Sequence, residues 1–218
     1  MGKEKNWFYW LRNNGKANGY EFTKCLILFI SSGKNKAAGD FVKTGATSFA
    51  TSKQLAEESD IVITMLPDSP DVENVVFGDE GVIDGIREGS LFIDMSTIDP
   101  SVARKIYTSM IEKGVEALDA PVSDGEKGAE DGAVSIMAGG SKKGFQKALP
   151  LFEIMGKNSI HIGNAGAGQL AKACNQIVIG VTMQGDAEDF ALARESGVNP
   201  EKVREALLGA DITHEILN

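Results

Sequence analysis

From residue 41 onward, short apolar runs rich in β-branched residues alternate with stretches whose apolar positions recur at helical spacing. Residues 52–59 open on Ser52, carry acids and hold Leu55 and Ala56, the pattern of a capped helix. Asp60-Ile-Val-Ile-Thr-Met-Leu66 is almost continuously apolar and is ended by Pro67, as expected of a strand buried on both faces. A short helix over 72–77, a turn over 81–86 and a second buried strand, Ser90-Leu-Phe-Ile-Asp94, come next. Residues 99–113 have helical spacing and stop at Gly114. Strands are expected at 115–120, 134–138 and 159–162, with a helix over 142–155. The alternation predicts a Rossmann-like, doubly wound parallel α/β sheet.

The pattern changes at Gly163-Asn-Ala-Gly-Ala-Gly168. Residues 169–196 contain no proline and keep helical spacing, so one long helix is expected, followed by another from Pro200. The expected division is an α/β domain over 1–163 and, over 164–218, the start of a helical domain that stops before closing its own core.

Composition narrows the partners. With 31 acidic against 22 basic side chains the net charge is −9, which repels phosphate backbones and anionic lipid. Nucleic acid and membrane are therefore not expected partners, and no apolar run reaches the ~18 residues of a membrane span. Cys25 and Cys174 fit no metal or redox spacing, so a reduced, cytoplasmic protein is expected.

The candidate chemistry lies in loops after strands, where open α/β sheets bind ligands. Met65-Leu-Pro-Asp68, Ser96-Thr-Ile-Asp-Pro100 and Pro121-Val-Ser-Asp-Gly125 each combine small, hydroxyl or proline residues at a strand end. Ordinary turn chemistry explains any one of them. Three such loops, with a glycine-rich turn leading into a helical lysine, form a more specific set. Lys172 lies among small and apolar neighbours in the first turns of the long helix, with Asn175 three residues on. A lysine so placed could deliver a proton to a carbonyl oxygen as hydride reaches its carbon.

Asp119-Ala-Pro-Val-Ser123, Ile136-Met-Ala-Gly-Gly140 and Gly163-Asn-Ala-Gly-Ala-Gly-Gln169 leading to Lys172 resemble the 3-hydroxyisobutyrate dehydrogenase family in order and spacing. The resemblance covers about residues 41–208 and implies an NAD- or NADP-dependent oxidoreductase of a small β-hydroxyacid or semialdehyde. It also implies a homo-oligomer. By the same resemblance Lys172 is the proton donor, Ser123 and Gly125 hold the substrate carboxylate and Asn175 orients substrate. Leu66, Pro67, Asp71 and Thr97 line the nicotinamide and ribose side. Asn175-Gln176, Asp68-Ser-Pro70 and Asp94-Met-Ser96 look more like the 2-hydroxy-3-oxopropionate (tartronate semialdehyde) reductase branch. Other semialdehydes remain open, as does NAD against NADP, a choice resting on residues 30–34.

Two features depart from the family. Asp124 stands where the family has glycine, putting a carboxylate beside an acid substrate. The front of the chain lacks the Gly-x-Gly-x-x-Gly that brings backbone N–H groups to a pyrophosphate. In its place stands Asn6-Trp-Phe-Tyr-Trp-Leu-Arg-Asn-Asn-Gly-Lys-Ala-Asn18. Codons permitted for these residues, read one base later, give Ile-Gly-Phe-Ile-Gly-Leu-Gly-Ile-Met-Gly-Lys-Pro, a strand followed by that fingerprint. A frameshift over about 1–35, or in its place a divergent N-terminal segment, is therefore expected, with a helical domain truncated at Asn218. The chain as written should bind reduced nicotinamide cofactor weakly or not at all. Fluorescence titration with NADH and NADPH checks this, and a micromolar dissociation constant would contradict it.

Overall fold

The computed structural model describes residues 49–123 and 134–208. The elements, in chain order, are α1 (Ser52–Glu57), β1 (Ile61–Thr64), α2 (Ser69–Phe77), α3 (Val82–Gly85), β2 (Leu91–Asp94), α4 (Pro100–Glu112) and β3 (Glu116–Asp119). β4 (Val122–Ser123), β5 (Val134–Gly140), α5 (Lys142–Met155), β6 (Gly156–Gly163), α6 (Ala167–Glu195) and α7 (Pro200–Leu208) complete them. Contacts divide the chain into two units, Met1–Lys172 and Ala173–Asn218.

Helix starts follow local chemistry. The side chains of Thr51, Asp68, Asp99 and Ser141 accept backbone N–H bonds at the first turns of α1, α2, α4 and α5. This satisfies donors that have no partner within the helix. Two expectations are corrected here. α2 begins at Ser69 because Asp68 caps it and Pro70 suits a first turn. Residues 82–85 form a turn of helix, with Ile86 N–H bonded to Val82 O at 2.9 Å.

β1, β2 and β3 pair in parallel. β5 runs antiparallel to β3 and β4, and β6 is parallel to β5. The sheet is thus parallel for three strands and reverses at β5. Only residues 124–133 connect β4 to β5, which is short for a parallel crossover of a dozen or more residues. The 14-residue α5 does provide such a crossover between β5 and β6.

Register explains the continuous apolar runs. Val62, Phe92 and Ala117 align across the parallel strands and join one buried cluster with α1–α4. Their neighbours Ile63, Ile93 and Leu118 align one residue later and join a second cluster with Phe145, Ala148, Leu151 and Phe152 of α5. Strands covered on both faces have no solvent side on which to alternate. Phe92 is fully buried at the middle of the first cluster. Phe92→Ala is expected to cost about 3–5 kcal/mol in urea unfolding; a loss below ~1 kcal/mol would contradict this core.

Candidate active site

The last residues of β1, β2 and β3 are Thr64, Asp94 and Asp119, and the sheet register places them in one row. All three are buried. Three polar groups taken out of water at one sheet edge must find partners nearby, and the partners they find hold the loops beyond.

Asp94 Oδ1 accepts from Thr64 Oγ1 at 2.8 Å, Ser96 Oγ at 2.6 Å and Ser96 N–H at 3.2 Å. With its proton committed to Asp94, the Ser96 hydroxyl accepts from Leu66 N–H at 2.8 Å. The loops after β1 and β2 are therefore joined through one serine. Among the described residues Asp94 Oδ2 has no hydrogen-bond partner. Burial pushes this carboxyl up to about 6, against the lowering by Ser96 and Thr64, and nearby Asp119 adds to the rise.

Asp119 faces α6. Its Oδ1 accepts from Gly166 N–H at 2.7 Å and its Oδ2 from Gln169 N–H at 2.9 Å. Burial raises its pKa, opposed by these backbone donors. The approach requires glycine on two sides. A Cβ on Gly139 would lie 2.5 Å from Asp119 Oδ1, and one on Gly168 would lie 2.3 Å from the Met137 carbonyl oxygen and 2.6 Å from that of Asp119. Gln169, also buried, donates through Nε2 to Ser96 O at 2.8 Å and accepts from Ile98 N–H at 3.0 Å. One side chain thus brackets Thr97 by its two neighbours. Lys172 follows three residues later on α6 and is buried at 8% exposure.

The site residues expected from sequence sit as follows. Leu66 is half-buried and Pro67 exposed in the loop after β1, while Thr97 is exposed in the loop after β2. Ser96 joins the Leu66 backbone to the loop that carries Thr97, and Gln169, three residues before Lys172, joins that loop to α6. Asp71 is exposed on the first turn of α2, where a carboxylate also favours the helix N-terminus. Ser123 is half-buried in β4, paired with Ser135, in a segment that sequence had read as loop. Asn175 is half-buried on α6 within the second unit. Gly125 and Asp124 lie outside the described residues, as does the atypical segment 1–35.

Sequence reasoning gave no role to Asp94, Ser96, Asp119 or Gln169. A signal existed for two of them: an aspartate ends each of two strands whose other residues are almost all apolar. A buried carboxylate needs donors, and the following Ser-Thr and Gly-x-Gly segments supply them.

The described residues fit the nicotinamide end of a dinucleotide at the adjacent loops of β1 and β2, where Met65, Pro67 and Thr97 are exposed beside the buried row. The glycine-rich start of α6 is not open to a phosphate. Gly166-Ala-Gly168-Gln-Leu-Ala171 follows β6 and opens α6 with fingerprint-like spacing. Its Gly166 and Gln169 N–H groups already hold Asp119, and a phosphate there would meet a carboxylate.

Residues 26–163 match the family model for the NAD-binding domain of 6-phosphogluconate dehydrogenase. Residues 166–211 match that for the NAD-binding region of NADP-dependent 3-hydroxyisobutyrate dehydrogenase. The chain belongs to the 3-hydroxyisobutyrate dehydrogenase-like family. The uncharacterised oxidoreductase YkwC of Bacillus subtilis is 44% identical over 181 residues, 83% of this chain and 62% of the relative. The 2-hydroxy-3-oxopropionate reductase of Escherichia coli is 39% identical over 180 residues, again 83% and 62%. The solved structure of Mycobacterium tuberculosis 3-hydroxyisobutyrate dehydrogenase with L-serine superposes at TM-score 0.73 with 36% identity, over 80% of this chain and 59% of that one. The chain thus spans about 62% of the length of the first two relatives. The cofactor class of this family is NAD or NADP. Among the described residues no helix is long and apolar enough to cross a membrane.

The buried acids make stability depend on pH. Asp94 titrates near 6 when folded against 3.8 when unperturbed, so between these values the folded chain holds the extra proton. Stability is then lost as pH rises through that window, by up to roughly 3 kcal/mol for this group. Asp94→Asn keeps the Oδ1 acceptor and removes the charge. Its stability relative to the parent, measured by urea unfolding, should improve from about pH 4 to about pH 6 and level off above that window. A difference that does not change with pH would contradict the account.

Proposed function

We propose that this chain carries the catalytic core of an NAD(P)-dependent reductase of a small semialdehyde acid, converting 2-hydroxy-3-oxopropionate to glycerate. The supporting observation is the placement of Lys172: buried, one turn beyond the Gln169 clamp, on a helix whose start is anchored at the carboxyl ends of β2 and β3. When bound, the nicotinamide supplies the hydride for the aldehyde carbon. Lys172 gives a proton from Nζ to the aldehyde oxygen, so that the developing alkoxide leaves as an alcohol. Ser123 and Gly125 hold the substrate carboxylate, and Asn175 orients the substrate from the same helix as Lys172. Leu66, Pro67, Asp71 and Thr97 line the nicotinamide and ribose. Their loops are pre-set because Ser96 and Gln169 fix their backbones without needing ligand.

In this reading residues 1–163 are the cofactor domain and 164–218 belong to a helical domain, in a cytoplasmic homo-oligomer. The substrate choice rests on Asn175-Gln176 and on the likeness to the E. coli reductase. The likeness to the M. tuberculosis dehydrogenase favours 3-hydroxyisobutyrate as the alternative. A reading from another class, a non-catalytic chain that associates through its helix, draws on the exposure of Ile177, Val178, Val181 and Leu192 on α6.

Turnover of 2-hydroxy-3-oxopropionate and of 3-hydroxyisobutyrate, each with both cofactors, separates these readings. Because the front of the chain lacks the pyrophosphate fingerprint, turnover is expected only at millimolar cofactor; there the parent should prefer the semialdehyde, and Lys172→Ala should lower kcat by about 10²–10⁴-fold. Equal rates for parent and variant would remove the role of the lysine. Absence of turnover with a stable oligomer would favour the associating chain.

A further inference from the structure

We propose that Asp119 is a positioning residue for Lys172: its carboxylate occupies the N-terminal end of α6 and, together with Gln169, fixes the first turn of that helix against the ends of β2 and β3. This rests on the reading of Lys172 as the proton donor. Three observations carry it.

The first is the geometry of the cap. Helix N-termini usually take a side chain from the residue just before the helix. Asp119 lies 47 and 50 residues before the two backbone N–H groups it accepts from, at 2.7 and 2.9 Å. A cap so distant in sequence fixes the helix start to a strand end, and not to its own approach.

The second is steric. Gly139 and Gly168 leave no room for a Cβ between β5, Asp119 and α6. The carboxylate therefore cannot be exchanged for a longer acid, and the helix cannot move away without losing both N–H partners.

The third is the opposite side of the turn. Gln169 spends both ends of its amide on the β2 loop, at Ser96 O and Ile98 N–H. The helical turn that leads to Lys172 is held by its backbone on one side and by its side chain on the other.

The consequence for Lys172 is both geometric and electrostatic. The position of its Cα is set by two strand ends rather than by substrate. Lys172 is the sixth residue of α6, where the partial positive charge of the helix start has largely faded, so the carboxylate acts on it as an opposite charge held at that helix start. Asp119 therefore helps Lys172 keep its proton until a carbonyl oxygen accepts it.

The amine itself is the readout. Full-length parent, Asp119→Asn and Gln169→Met are labelled with trace acetic anhydride across pH 6–11, a range of about five units around an ordinary amine. Peptide mass spectrometry compares Lys172 with exposed Lys113 in the same sample. Backbone hydrogen exchange is followed over 96–99 and 166–170. In Asp119→Asn the labelling midpoint of Lys172 should fall by roughly a few tenths of a pH unit, and exchange over 166–170 should rise about tenfold. In Gln169→Met the carboxylate remains, so Lys172 should label several-fold faster with a smaller change of midpoint, and Ile98 should exchange faster.

A Lys172 labelling curve that coincides with the parent's in either folded variant overturns the proposal, even where exchange rises, because Asp119 would then be a purely structural cap. Loss of folding in both variants assigns the pair to the fold and also overturns it. Since turnover is not the readout, a parent inactive on every semialdehyde leaves this test standing. An unchanged labelling curve, conversely, leaves the family reading untouched.

Discussion

A buried carboxylate must be given donors, and in this chain that requirement shapes the site. Asp119 ends a strand inside the sheet, with 5% of its surface exposed. Leaving such a charge unpaired would cost several kcal/mol. The donors that reach it are backbone N–H groups at the start of α6, which themselves lack helical partners. Each side solves the other's deficit. The glycines at 139 and 168 follow as a steric condition of that closeness.

The same logic repeats one strand away with a different result. Asp94 is as deeply buried, but its donors are the hydroxyls of Thr64 and Ser96 with one backbone N–H, and among the described residues one of its oxygens is left without a partner. Burial raises its pKa to about 6, and the hydroxyl donors only partly oppose the rise. Through Ser96 it holds Leu66, and through the carbonyl of Ser96 it meets Gln169. The row Thr64, Asp94, Asp119 therefore links three strand ends, the loops after β1 and β2 and the helix that carries Lys172. Pre-organisation of this kind belongs to a site that must orient reactants before chemistry.

Much of the fold was legible in the sequence because continuous apolar runs and helical spacing follow directly from burial. β1, β2 and β3 lie within the runs that suggested them, and Thr51, Asp99 and Ser141 start helices that the pattern located. The direction of β5 was not legible. Its run, Val134-Ser-Ile-Met-Ala138, is consistent with either direction, and the length of the connection decides it. β4 was missed because Val122 and Ser123 follow a proline and look like a loop. For the site, motif resemblance pointed to Lys172, Ser123 and the strand-end loops. It gave no reason for Asp119, whose partners lie 47 and 50 residues away. The Gly-x-Gly of residues 166–168 looks like ligand chemistry in sequence, whereas in three dimensions its donors face an internal carboxylate.

The central claim is that the start of α6 is fixed by Asp119. Native-state hydrogen exchange of the unmodified chain tests it most directly. Gly166 and Gln169 amides should exchange as slowly as those of Ile93 and Leu118 in the central strands, although first-turn helical amides ordinarily exchange quickly. Exchange of Gly166 and Gln169 as fast as the exposed first turn of α2 would contradict it.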